Sequence, residues 1–304
     1  MKAPRILSKP RCVWAAGAQL GEGTSWSQRR SALYWVDILS KKLHRYTPEG
    51  DRRESWSFDE EISAVAERAV SSAGSSPSPE LIVTLRSGFA FFDPATGHLE
   101  RLHDPERDRP ANRFNDGKCD AVGRFWGGTM DFDCIARTGA LYCFDTHRQC
   151  SRHVDGVHIT NGPTWSVDGR TMYFTETGTG QINAFDFSMS AGTLSNKRLW
   201  LQFAGTDGSP DGMTTDAEGR IWIAHWGGSC VTCRDVEGRV LMRINLPAAH
   251  ITNVAFGGPK LSTLYVTSAT SGLSAEDLAD QPLAGGLFAI ETDARGLPAN
   301  EFLG

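Results

Sequence analysis

The 304-residue sequence has no apolar run approaching the roughly 20 residues that a membrane-spanning helix needs, so no helical span is expected. It contains no HExxH, no GxSxG and no Walker loop, which removes sequence support for zinc-peptidase, serine-hydrolase and P-loop chemistry. TGTGQ (177–181) is read as a hairpin loop, not a dinucleotide fingerprint, because no helix follows it. No long basic run is present and the formal net charge is −5, which argues against nucleic acid or a polyanionic substrate. The opening stretch MKAPRILSKPRCVW lacks the apolar segment of a secretory signal. Seven cysteines, scattered and odd in number, do not form a disulfide framework, and a reducing cytoplasm is the expected location. Cys230 and Cys233 make a lone CxxC. A zinc ribbon needs a second pair, and on a strand residues three apart face opposite sides, so both are read as core thiols.

What the sequence does have is an internal repeat. A β-rich run, a small polar turn and a second β-rich run recur from Leu33, Leu81, Phe125, Met172, Ile221 and Leu264, a period of roughly 43–49 residues. The runs are rich in aromatic and β-branched residues. A four-stranded blade cannot bury its own faces, but a ring of blades can. Six copies therefore predict an all-β, six-bladed propeller of four-stranded antiparallel blades around a central channel, formed by residues 1–304 as one domain. SSAGSSPSP (71–79) reads as a polar loop within this pattern, and SAEDLADQ (274–281) as a short helical turn. Turns such as VGR (122–124) and EGR (218–220) read as solvated blade corners.

Four oxygen-bearing residues recur just ahead of the blades' inner strands. They are Glu22 in LGEGTSW (20–26), Asn115 in RFNDGK (113–118), Asn161 in ITNGPTW (159–165) and Asp211 in SPDGMT (209–214). Each sits beside or one residue from glycine, so each alone is ordinary turn chemistry. Together, at one phase of a ring-forming repeat, two carboxylates and amide oxygens suit one divalent cation: Ca²⁺, Mg²⁺, Mn²⁺, Zn²⁺ or Fe²⁺.

LGEGTSW, RFNDGK, GRFWGGTM (123–130), ITNGPTWSVDGRTMYFTET (159–177), SPDGMTTDAEGRIWIAHWGG (209–228) and FGGPKLSTLYVTSA (256–269) resemble the senescence marker protein 30/gluconolactonase family of sugar lactonases. The resemblance runs from about Cys12 to the C-terminus. Within the family it lies nearest the bacterial pentonolactonases, which act on xylonolactone or arabinonolactone. It implies that Glu22, Asn161 and Asp211 bind the metal and that Arg113 and Asn115 contact the sugar lactone. It also implies that Asp211 is the general base. An acidic substrate contact follows the GTM of the third blade, where Asp131 and Asp133 both stand and Asp133 aligns better. The implied reaction is metal-dependent hydrolysis of an aldonolactone, a pentonolactone or gluconolactone, to the aldonic acid.

Two non-enzymatic readings compete: a divalent-metal-binding propeller without catalysis and a protein-interaction platform. Arg113 and Asn115 beside the ligand set favour the enzyme. Oligomeric state is not readable. His225, in IAHWGG (223–228), is either packed in the core or part of a pocket wall. Trp26, Trp165 and Trp226 are either blade packing or walls of a sugar site.

Overall fold

The structure, a computed structural model, describes residues 1–69 and 79–304, so most of the stretch 71–79 lies outside the described residues. Six four-stranded antiparallel sheets are arranged as the blades of a ring. Their innermost strands are Gly21–Ser27, Ile62–Glu67, Asn112–Cys119, Thr160–Trp165, Ser209–Thr215 and His250–Gly257, numbered here as blades 1 to 6. Blade 6 takes its outermost strand, Arg11–Trp14, from the N-terminus, where it pairs with Leu287–Glu291. That exchange joins the two ends of the chain in one sheet and closes the ring.

The burial pattern follows from the ring. Second strands such as Ala32–Asp37 and Leu81–Leu85 are buried on both faces, because each blade lies between two neighbours. The outermost strand of blade 1, Arg52–Ser57, is almost wholly exposed. Apolar clusters fill the spaces between adjacent blades. Between blades 2 and 3, Phe89 stacks on Phe144 at 4.7 Å and Phe302 completes the cluster. Between blades 5 and 6, Trp222 meets Phe256 edge to face at 5.3 Å. The expected helical turn is a six-residue helix, Ala275–Asp280, started by a Ser274 capping box.

Two readings of local sequence need correction. The repeat starts Leu33, Leu81, Phe125, Met172, Ile221 and Leu264 open or lie in the second strand of each blade, not the first. The inner strand was hidden because its glycines look like turns. The Gly-Arg corners differ from expectation as well. Arg124 and Arg220 are buried, not solvated. Asp216 Oδ2 accepts hydrogen bonds from Arg220 Nε (2.6 Å) and Trp222 Nε1 (2.9 Å), while Oδ1 accepts from the backbone of Glu218 and Arg220. Asp120 does the same for Arg124 and Trp126. A buried pair of this kind tolerates loss of one partner poorly, because the other charge is left uncompensated.

Asp216→Ala should therefore cost about 3–5 kcal/mol of unfolding free energy. Asp168→Ala, at the exposed DGR corner, should cost no more than about 1 kcal/mol. Denaturant titration of both variants checks the contrast, and equal losses would contradict it.

Candidate metal centre

All six inner strands carry a register irregularity near the same place: Glu22/Ser25, Ile62/Ala64, Phe114/Asp116, Asn161/Thr164, Pro210/Met213 and Ile251/Val254. A bulge adds a residue to one strand and re-aims its side chains. Gly23 and Gly162 sit at positive φ (60° and 77°) in these bulges, which is the conformation that glycine adopts without strain.

The register defines a layer. Trp26, Glu67, Cys119, Trp165, Thr215 and Phe256 pair with Leu33, Leu81, Phe125, Met172, Ile221 and Leu264 respectively. Four residues upstream of each lie Glu22, Ser63, Asn115, Asn161, Asp211 and Thr252. The four expected polar residues are thus in register, inside the inner strands rather than in turns ahead of them. RFNDGK is itself part of the strand Asn112–Cys119: its bulge falls at Asn115, between Phe114 and Asp116, while Asp116 and Gly117 pair with Gly128 and Gly127.

All members of the layer are buried. Asn115 Nδ2 donates to Thr160 O (2.7 Å) and Asn161 Oδ1 (3.1 Å). Asn161 Nδ2 donates to Thr177 Oγ1 at 2.8 Å. Arg113 Nη1 donates to Asn115 Oδ1 (2.6 Å) and Phe114 O (3.0 Å), and Arg113 Nε has no partner among the described residues. Among the described residues Asp211 Oδ1, also buried, has no hydrogen-bond partner.

Sequence reasoning missed two further members. Asp116 Oδ2 accepts from Gly162 N (2.9 Å) and Asn253 Nδ2 (3.3 Å); Asn253 Nδ2 also donates to Glu22 Oε2 at 3.0 Å. Asp116 stands in an Asn-Asp-Gly sequence that reads as turn chemistry, and Asn253 stands one residue past the layer position. Aligning the six inner strands on their partners would have exposed both.

Crowding dominates the electrostatics. Burial pushes the Glu22 carboxyl well above the usual range, and Asp211 and Asp116 push it further. Asp211 is raised well above its ordinary value by burial and then by Asp116. Burial also raises Asp116, with Lys118 opposing. Three buried carboxylates thus face two cations, Arg113 and Lys118, and burial disfavours both of those charges as well. An unpartnered carboxylate oxygen in such a cluster fits a divalent cation. Among the described residues no group of three or more His, Cys, Asp or Glu is arranged to hold a metal, so the fit rests on the mixed carboxylate and amide set.

The other sequence candidates lie outside the buried layer. Asp133 is exposed on the loop between the second and third strands of blade 3. Asp131 Oδ2 accepts from Ile135 N and Ala136 N and shapes that loop. His225 is packed: Nδ1 bonds Asp207 O and Nε2 bonds Thr232 Oγ1, both at 2.8 Å. Cys230 and Cys233 are buried free thiols. Trp26 and Trp165 stand four residues along their strands from Glu22 and Asn161, about 13 Å away at the strand rise. They line a cavity of about 460 Å³ at the opposite end of the channel, closed in part by residues 297–300. Trp226 stays at the site's end of blade 5, paired with Ser209 and 4.0 Å from the His250 ring.

Residues 20–270 match the family described as SMP-30/Gluconolactonase/LRE-like region. YvrE of Bacillus subtilis (strain 168), provisionally named a sugar lactone lactonase, is 34% identical over 288 residues, covering 94% of this chain and 96% of that protein. Regucalcin of Danio rerio is 34% identical over 300 residues, covering 97% and 99%. The crystal structure of a calcium-binding protein, regucalcin, from Agrobacterium tumefaciens superposes with a TM-score of 0.90 at 26% identity, covering 97% and 99%.

In EDTA at pH 8, Asp211→Asn should melt above the wild type, because the isosteric amide removes one of three crowded charges. The sign follows from the raised carboxyl: its ionised form is disfavoured by folding, so its contribution to stability is lost as pH rises through the folded value. Added divalent cation should reverse the order. At one hundred times Kd it stabilises the wild type by about 2.7 kcal/mol and leaves Asp211→Asn little changed. Thermal melts with Ca²⁺, Mg²⁺, Mn²⁺, Zn²⁺ and Fe²⁺ check this, and no shift with any cation would contradict it.

Proposed function

The chain belongs to the SMP-30/gluconolactonase/LRE-like family, and on that premise we propose that it hydrolyses a small sugar lactone to the open acid with one divalent cation. The carrying observation is the buried layer in which Asp211 Oδ1 has no hydrogen-bond partner among the described residues and Glu22, Asn115 and Asn161 share its register, with Arg113 bonded to Asn115. Glu22, Asn161 and Asp211 would hold the cation. When bound, it supplies a Lewis acid that polarises the lactone carbonyl and acidifies water.

The chain's own residues do the rest. Arg113 is held by the carbonyl of Phe114, its neighbour in the strand, and by Asn115, so its fork of donors is preorganised. Its spare Nε donor suits a lactone oxygen or the negative charge that develops on it. Asn115 shares its amide between Thr160 and Asn161 and thereby fixes the orientation of both the Arg113 fork and the Asn161 oxygen. Asp211 acts as ligand and takes the proton of the attacking water; a neighbouring cation depresses its basicity, so the ligand role comes first. Asp133, on its exposed loop, is assigned a substrate contact at the mouth. The substrate is a pentonolactone or gluconolactone, and the protein works as a single cytoplasmic propeller domain.

A pH-indicator assay with xylono-, arabinono-, galactono- and gluconolactone, before and after metal stripping, tests the proposal. Acid release above the spontaneous rate is expected, lost in EDTA and restored by one cation. Asp211→Ala should abolish it. Arg113→Ala should lower kcat/KM by about 10²-fold, the scale of one lost transition-state donor. No acid release from any lactone with any cation would overturn the proposal and leave a non-catalytic cation-binding propeller.

A further inference from the structure

Four of the six positions just beneath the ligand ring carry small residues. One residue past Glu22, Ser63, Asn115, Asn161, Asp211 and Thr252 stand Gly23, Ala64, Asp116, Gly162, Gly212 and Asn253. The two exceptions come from blades 3 and 6, which are three places apart in a ring of six and so face each other. Their side chains meet: Asn253 Nδ2 lies 3.3 Å from Asp116 Oδ2. The small residues make room for them. A Cβ at position 212 would run into the Asn253 amide, and Gly162 lends its backbone N–H to Asp116.

We propose that Asn253 is a positioning residue of the metal centre, a neutral clasp across the channel that ties Glu22 of blade 1 to Asp116 of blade 3 and orients Glu22 for the cation. Its bonding capacity matches the task. Nδ2 has two N–H groups, one directed to Glu22 Oε2 at 3.0 Å and one to Asp116 Oδ2. Oδ1 accepts from Thr24 Oγ1 at 2.7 Å, which fixes the amide with its donors toward the carboxylates. Glu22 Oε2 is thus engaged twice, by Asn253 and by Gly23 N at 3.2 Å, and Oε1 is the oxygen it has for a cation. An amide suits this place because a fourth carboxylate would add charge to a crowded site and bring no donor. With its amide committed to Thr24, Glu22 and Asp116, Asn253 would act on the cation through Glu22. The inference rests on the reading of the ring as a metal site.

Calorimetric titration of Ca²⁺ or Mn²⁺ into metal-stripped protein tests it without reference to activity. Removing a residue that orients a metal ligand typically weakens affinity 10–100-fold. Asn253→Ala should raise the cation Kd at least tenfold. Thr24→Val, which frees the amide to turn, should raise it by a smaller factor, and Thr24→Ser should restore it. Melting in EDTA reports folding separately. A folded Asn253→Ala with a Kd within twofold of wild type would overturn the clasp, even if its melting temperature fell. Should Asn253→Ala not fold, an unchanged Kd in Thr24→Val overturns it instead. Wild-type protein that binds no divalent cation would overturn the metal reading itself, an outcome distinct from loss of the clasp alone.

Discussion

The shared register of the six inner strands is the constraint on which the site depends. Each strand carries its bulge near the same height, so one residue per blade falls in a single buried layer. That alignment has meaning only because the ring is closed. The strand Arg11–Trp14 pairs with Leu287–Glu291 and brings the first blade against the last. Without that closure Thr24 and Glu22 would not meet Asn253, which lies 231 positions further along the chain from Glu22.

The site is assembled at an electrostatic cost. Glu22, Asp116 and Asp211 are buried together, and burial as well as their mutual repulsion disfavours their charged forms. The fold offsets part of this with backbone donors at Gly23, Gly117 and Gly162 and with the Asn253 amide. The apolar clusters between blades supply the stability that makes such crowding tolerable, with large aromatic side chains at several of the interfaces. Away from the site, buried charge is paired: Asp120 and Asp216 each neutralise one arginine and bond one tryptophan at the blade corners.

Much of this was legible in the sequence. The repeat from Leu33 to Leu264 foretold six blades, and SAEDLADQ foretold the short helix. Glu22, Asn115, Asn161 and Asp211 were picked from their phase, and the structure puts all four in one layer. Most of the misreadings share a cause. Glycine next to a short polar residue signals a turn in most sequences, but here it marks a bulge inside a strand. That confusion shifted the inner strand out of view, made Asp116 a turn residue, and placed Trp26 and Trp165 near a site that lies a strand's length away. The burial of Arg124 and Arg220 was hidden for another reason: Gly123 and Gly219 do sit in turns, and a Gly-Arg corner has no pattern that reports which neighbour covers it.

The sequence by itself determined the blade count, the strand-forming runs and the chemical type of the layer, because these depend on periodicity and residue identity along the chain. Only the tertiary structure decided which residues meet across the axis. Asn253 and Asp116 are 137 positions apart and come from opposite blades. Their contact depends on ring closure, on the height of each bulge and on the space left by Gly162 and Gly212, quantities that no local stretch of sequence encodes.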